Sequence, residues 1–199
     1  MPAITFRSRF TMVLCIIAWA GLAVVLAVVV ATPGVVERGL IPLGLVAVAA
    51  IIWAVLWSPF VRVSDDAVTI ANVLREIEIP WAALIHVDTK YSLTLTTPGR
   101  TYSATAAPAP GQLSGLNASR SQRTRAGGAG TSVRPGDLPS TDSGQAAELV
   151  RERWKRLRDS GAIEAGIADS VPVSIRPRIV QIATITAATV VLIVGVLVF

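Results

Sequence analysis

The sequence has one cysteine, one histidine and few charged residues, and each shortage excludes a class of site. Cys15 is the only cysteine, so neither an internal disulfide nor a multi-cysteine metal site can form. His86 is the only histidine, so one chain cannot build a multi-histidine metal site. Charged residues make up 16% of the chain, against about a quarter in soluble domains. The shortage is concentrated, because residues 11–31, 40–57 and 179–199 contain no charged residue at all.

These three uncharged runs predict membrane-spanning helices. As a helix, the run 11–31 is about 32 Å long, enough to cross a hydrocarbon core of about 30 Å. A cleaved signal peptide is the alternative for this run, but the run is long for a signal and a second run follows at once. We therefore predict that residues 1–58 form an N-terminal segment and a two-helix hairpin, and that 179–199 form a third span.

Positive charges beside the runs predict the orientation. Five arginines lie on one side of the runs: Arg7, Arg9, Arg62, Arg176 and Arg178. On the other side, Arg38 is offset by Glu37. Because cations gather on the cytoplasmic side, we predict a multi-pass plasma-membrane protein with its N-terminus and residues 59–178 in the cytoplasm and its C-terminus outside. The same reasoning assigns the net charge of +5 to topology and anionic headgroups, and nucleic acid is not expected as a partner.

Residues 59–106 predict a series of short strands. In 76–79 glutamates alternate with isoleucines, and 91–96 alternate as Tyr-Ser-Leu-Thr-Leu-Thr, which places each set on its own face. Turn-forming residues lie between strands at 64–66 and 97–100, and the last strand is predicted over 101–104. Short strands with such short turns indicate an antiparallel meander.

Residues 107–141 are rich in alanine, proline, glycine and serine and are predicted to be a flexible linker. Its four arginines, Arg120, Arg123, Arg125 and Arg134, make it basic. It therefore either stays solvated or lies on anionic lipid or RNA.

Residues 142–160 predict an amphipathic helix, which a connector (161–178) joins to the third run. Residues 142–145 resemble a capping box. The apolar face carries Ala146, Val150, Trp154 and Leu157 at helical spacing. The helix either packs on the strands, which need a cover over their apolar face, or lies on the membrane surface. We favour packing on the strands.

The order of these elements resembles a known family. The stretch Val68-Thr69-Ile70-Ala71-Asn72-Val73-Leu74-Arg75, followed by Ile79-Pro80-Trp81, is similar to the short PH-like domains of actinobacterial membrane proteins. In that family a two-helix membrane hairpin commonly precedes the domain. The resemblance implies a strongly bent antiparallel sheet capped by a C-terminal helix. The expected fold is thus three transmembrane helices plus a small α+β cytoplasmic domain.

The sequence departs from that family in three respects. The linker separates the helix from the last strand, and a third span is added. The loop at 64–66 contains Asp65 and Asp66, whereas phosphoinositide-binding PH domains have basic residues there. Because carboxylates repel phosphate, headgroup recognition through this loop is not expected.

The sequence contains no convincing catalytic site. His86 has no accompanying nucleophile motif for a catalytic triad, and Asp65 with Asp66 is better explained as a turn than as an acid–base pair. No nucleotide-binding glycine loop is present, and the runs contain no acid or base that could carry protons or ions. We predict a protein that is not an enzyme and has no cofactor, metal or small-molecule substrate.

Two sets of residues are candidates for contacts. The cations that could face lipid are Arg62, Arg151, Arg153, Lys155, Arg156, Arg158, Arg176 and Arg178. The small or polar residues that would permit close helix packing are Gly21, Ala23, Ala27, Gly44, Ala50, Ala54, Thr184 and Ala188. The leading hypothesis is a membrane scaffold or accessory subunit of a larger, conceivably respiratory, complex, with the lipid bilayer and other membrane proteins as partners. The alternative is a binder of anionic lipid headgroups through the basic linker and helix.

Overall fold

The computed structural model of the protein describes residues 2–32, 40–109, 138, 140–163 and 166–198. The chain divides into two compact units. The first, called here the β unit, comprises Met1–Ser8, Phe60–Asn72 and Glu76–Arg176. The second, called here the helical unit, comprises Arg9–Pro59, Val73–Arg75 and Pro177–Phe199.

The described strands form two sheets. The strands are β1 (Ile4–Phe6), β2 (Phe60–Val63), β3 (Ala67–Ala71), β4 (Arg75–Pro80), β5 (His86–Asp88), β6 (Ser92–Thr97), β7 (Arg100–Pro108) and β8 (Ser174–Pro177). The first sheet has the order β1-β2-β3-β4-β8 and the second the order β5-β6-β7. In the first sheet β2 pairs with β3 and β3 with β4, and in the second β5 pairs with β6 and β6 with β7. All four pairs are antiparallel, as the meander prediction requires.

The chain passes from one sheet to the other at Pro80. Proline has no N–H to donate to a strand ladder, and Trp81–Ala83 then form a single 3-10 turn. The structure therefore has two antiparallel sheets, whereas the family resemblance implied one strongly bent sheet.

A helix over Asp142–Asp159, called α3, covers the strands. The inward side chains of both sheets are fully buried, among them Ile70, Ile79 and Leu95. Ala147 and Val150 of α3 belong to the same buried cluster. The helix thus packs on the strands, which is the arrangement that the sequence favoured.

The start of α3 differs from the predicted capping box. Thr141, not Asp142, is the N-cap: its backbone is extended (φ −108°, ψ 152°) and its side-chain oxygen accepts a hydrogen bond from the Gly144 N–H. Asp142 is the first helical residue, where a carboxylate interacts favourably with the helix dipole, and it accepts a hydrogen bond from the Ser8 hydroxyl.

Three predicted boundaries also change. Strand β7 continues to Pro108 because its partner β6 is long enough to pair Ser92 with it, so Ala107 and Pro108 are not linker residues. The connector contains β8 and a 3-10 turn over Ala168–Ser170. The N-terminal segment contains β1. Residues 110–137, which hold most of the predicted linker, lie outside the described residues.

Three apolar helical segments make up most of the helical unit. They are α1 (Arg9–Ala31), α2 (Leu40–Ile52) with a π-helical turn over Trp53–Trp57, and α4 (Ile179–Val198). Helix α2 contacts both α1 and α4. Helix α1 and the stretch Ile179–Leu197 are long and apolar enough to cross a membrane, whereas Ile41–Trp57 is shorter. Only 6% of each long apolar stretch is buried, which is not typical of a core helix in a soluble protein.

Candidate interaction surface

The acidic turn between β2 and β3 is joined to α3 by an ion pair. Ser64 closes the turn, since its hydroxyl accepts from the Ala67 N–H at 3.1 Å. Asp65 then receives the guanidinium of Arg153, with a nitrogen–oxygen distance of 2.5 Å. The Arg153 side chain is 6% exposed and the Asp65 side chain 43%. A cation that the sequence assigned to lipid is therefore buried inside the β unit.

Positive charge around Asp65 favours its ionised form. The positive charge of Arg153, with that of Arg156, holds the pKa of the Asp65 carboxyl below its ordinary value. The turn consequently stays anionic at neutral pH, and Arg153 is neutralised by it.

Two more of the candidate lipid-facing cations make bonds within their own unit. Arg151 donates to the Val87 carbonyl at 3.0 Å, which covers part of the outer edge of β5. Arg178 donates to the hydroxyl and the carbonyl of Ser58, each at 3.3 Å. These bonds compete with contacts to headgroups at both positions.

The remaining candidate cations lie closer to solvent. The Arg62 guanidinium lies 5.3 Å from the centre of the Phe60 ring, and that of Arg158 lies 5.8 Å from the Trp154 ring. Lys155, Arg156 and Arg176 are exposed. Contact of these residues with lipid stays a prediction.

Exposed apolar side chains of the β unit form a second kind of surface, which the sequence did not single out. Tyr91, in the turn between β5 and β6, is 79% exposed, and Ile85 is 50% exposed. The Lys90 ammonium lies 5.1 Å from the centre of the Tyr91 ring. Tyr91 begins the alternating run 91–96. Leu93 and Leu95, which alternate with it, are buried, so the alternation by itself predicts that Tyr91 is buried too. Only its position at the end of the strand indicates that it is exposed.

The candidate helix-packing residues separate into two groups. Ala54 and Ala188 are buried, Ala50 and Thr184 are half-buried, and a methyl group on Gly44 would lie 3.8 Å from Leu192. The α1 residues Gly21, Ala23 and Ala27 are exposed instead. Helix α1 is held to α2 elsewhere: the Trp19 indole donates to the Ala49 carbonyl at 3.2 Å and stacks on Trp57.

The β unit has a small cavity beside the ion pair of Arg153. A cavity of about 110 Å³ lies beside Ile4, Leu149 and Arg153, below the volume of about 300–1,000 Å³ typical of ligand sites. Among the described residues, no three His, Cys, Asp or Glu side chains are grouped to hold a metal ion. His86 lies exposed on the edge strand β5.

Two antiparallel sheets closed by a C-terminal helix define the β unit as a PH-like domain. Comparison with known families agrees: the model of the family described as Bacterial PH domain matches residues 58–159. These 102 residues are just over half of the 199-residue chain, and the protein belongs to the bacterial PH domain family. No curated protein and no solved structure matches the sequence significantly.

Replacing Arg153 with methionine is expected to destabilise the β unit by about 1–3 kcal/mol, because Asp65 loses its ion pair and the Pro2 carbonyl loses a hydrogen bond. Lys155→Met is the matched control, since Lys155 is exposed on the same helix, and it should change stability by less than about 0.5 kcal/mol. Urea-dependent protease resistance of the full-length protein in detergent measures both. Equal midpoints for the two variants would contradict the structural role of Arg153.

The same comparison has a defined pH dependence. Because the pKa of Asp65 is lowered in the folded state, its ion pair stabilises the protein above the unfolded pKa of about 3.9. That contribution is lost as the pH falls through the lower folded value. The difference between the wild type and Arg153→Met should therefore be constant from neutral pH to about pH 5 and shrink below about pH 4.

Proposed function

We propose that this bacterial PH domain protein is a non-enzymatic, multi-pass plasma-membrane protein whose PH domain binds other proteins in the cytoplasm. It acts as a scaffold or an accessory subunit of a larger membrane complex, for which a respiratory assembly is one conceivable host. The actinobacterial origin that the resemblance implies belongs to the same proposal.

The observation that carries the proposal is that two cations of α3 are bonded to other residues of the β unit. Arg153 is bound to Asp65 and Arg151 to the Val87 carbonyl, so α3 presents fewer cations to headgroups than its sequence suggests. Exposed Tyr91 offers what protein interfaces use instead, because tyrosine is enriched among residues that dominate binding energy.

The membrane part of the proposal is supported by the helical unit. Helix α1 and α4 have the length and composition of spans. The segment 40–57 is continuously helical and about 27 Å long, which a slightly thinned bilayer or flanking residues accommodate. We propose that all three cross the membrane, with the N-terminus and the PH domain cytoplasmic. A C-terminal reporter that is active only in the cytoplasm should then be silent, and an active reporter would reverse the orientation.

Purification of the full-length protein in mild detergent tests the partner hypothesis. We expect one or more proteins to co-purify in a fixed ratio and Tyr91→Ala to reduce their recovery. The double variant Lys155→Gln, Arg158→Gln, which removes exposed cations of α3, should leave recovery unchanged.

Binding of anionic headgroups is the second candidate, favoured by the exposed cations Lys155, Arg156 and Arg158 on α3. Under this hypothesis no protein co-purifies, and the full-length protein is retained on beads coated with anionic lipid in a salt-dependent manner. Retention would then fall in the double variant and not in Tyr91→Ala.

A further inference from the structure

We propose that Val73–Arg75, called here the β3–β4 turn although Arg75 is the first residue of β4, is a membrane-interface anchor, with Leu74 inserted at the headgroup level of the bilayer and Arg75 beside lipid phosphates. The inference rests on the proposed membrane embedding of the three helices. It adds a contact with lipid that the sequence did not assign to this turn.

The turn is physically part of the helical unit. Val73–Arg75 cluster with the apolar helices, although the strands on either side belong to the β unit. The Leu74 carbonyl accepts a hydrogen bond from the Arg178 N–H at 3.0 Å. Arg178 immediately precedes Ile179, the first residue of α4, so the tip of the turn is bonded to the point where α4 begins.

The same arginine binds the end of a second helical segment. Its guanidinium donates to the hydroxyl and the carbonyl of Ser58, and Ser58 directly follows the π-helical turn that ends at Trp57. Leu74 is thus bonded where α4 begins, to an arginine whose side chain reaches the end of the segment 40–57. Where apolar runs meet arginine and tryptophan, a spanning helix leaves the hydrocarbon for the interface.

The side chains of the turn suit that level. Leu74 is 53% exposed and Arg75 is exposed beside it. The first residue of α4, Ile179, is 73% exposed, so the helix also begins with an exposed apolar side chain. An apolar side chain next to cations is the pattern of segments that insert a few ångströms into the headgroup region. Isolated exposed leucines are common on soluble surfaces. Leu74 differs because its backbone carbonyl is hydrogen-bonded to the residue that immediately precedes α4.

Site-directed fluorescence in reconstituted vesicles tests the inference. The full-length protein, in a Cys15→Ala background, carries one new cysteine labelled with an environment-sensitive dye and is placed in vesicles of mixed neutral and anionic phospholipid. The three positions are Leu74→Cys; Tyr91→Cys, a more exposed turn position outside the helical unit (79% against 53% for Leu74); and Val190→Cys, which is 53% exposed on α4.

We expect the dye at position 74 to be quenched by lipids spin-labelled near the headgroup more than by lipids labelled deep in the chains. Iodide in the water should quench it about threefold less than the dye at position 91, as for a residue held in the interface. Equal iodide quenching at 74 and 91, without lipid quenching at 74, would overturn the inference.

The position in α4 separates this inference from the proposed function. Strong quenching at 190 by deep spin labels, with none at 74, refutes only the anchor. Absence of lipid quenching at both positions refutes membrane embedding itself. Protection of position 74 from iodide without lipid quenching would show that a protein, namely a second copy of the chain, covers the turn, and would also refute the anchor.

Discussion

Replacing Trp81 with alanine is expected to reduce the free energy of unfolding of the β unit by about 3–5 kcal/mol, the range for removing a buried aromatic ring. Trp81 is 3% exposed and belongs to the buried cluster shared by both sheets and α3. Its indole N–H also donates to the Ser64 carbonyl at 3.2 Å. The change therefore leaves a cavity where the chain crosses between the sheets and an unpaired carbonyl in the β2–β3 turn.

Urea-dependent protease resistance of the full-length protein in detergent measures this loss. With a slope of about 1–3 kcal/mol per molar urea, the midpoint should fall by at least about 1 M. Trp81→Phe serves as the graded control, because phenylalanine keeps most of the apolar ring and loses only the hydrogen bond to Ser64, worth about 0.5–1.5 kcal/mol. Similar midpoints for Trp81→Ala and the wild type would show that the ring does not support the core.

Periodicity predicted β4 and β6 because the six residues of each are enough to show it. Ile77 and Ile79 are buried and Glu78 is exposed, as the alternation requires. Strands β1 and β8 have only three and four residues, too few for a period to be visible. They form because β2 and β4 offer free edges, which is information that lies outside their own sequences.

The break between the sheets has a local signal in the sequence. Pro80 cannot donate to a ladder, and its presence between Ile79 and Trp81 marks the end of β4. The family resemblance instead implied continuous bending, and the two separate sheets were not predicted.

The candidate surface was predicted less well than the fold, for a reason visible in Arg153. Arg153 lies three residues after Val150 and four before Leu157, so helical spacing places it on the apolar face. Its charge led to an assignment to lipid. Its partner Asp65 lies 88 positions earlier, and no local pattern connects two residues that only the tertiary fold brings together.

Introducing a carboxylate at Ala147 is expected to have the second large effect. Ala147 is 0% exposed and lies in the cluster between α3 and the strands. An aspartate there must either be buried without a partner, be protonated, or push the helix away from the sheets. Each outcome costs about 3 kcal/mol or more, a large part of the 5–15 kcal/mol that stabilises a typical domain. We therefore expect the strands of Ala147→Asp to be cleaved by protease without urea or at a far lower urea concentration than in the wild type.

Gln145→Asp is the matched control for Ala147→Asp, because it introduces the same charge two residues earlier at an exposed position of the first helical turn. The helix dipole favours a carboxylate there by about 0.3–1 kcal/mol, so its urea midpoint should equal or slightly exceed that of the wild type. The pair also separates the two arrangements that the amphipathic sequence allowed. If α3 lay on the membrane surface, Ala147→Asp would release the helix from lipid and leave the strands as resistant as before. If α3 is the cover that the structure shows, the strands lose their protection together with the helix.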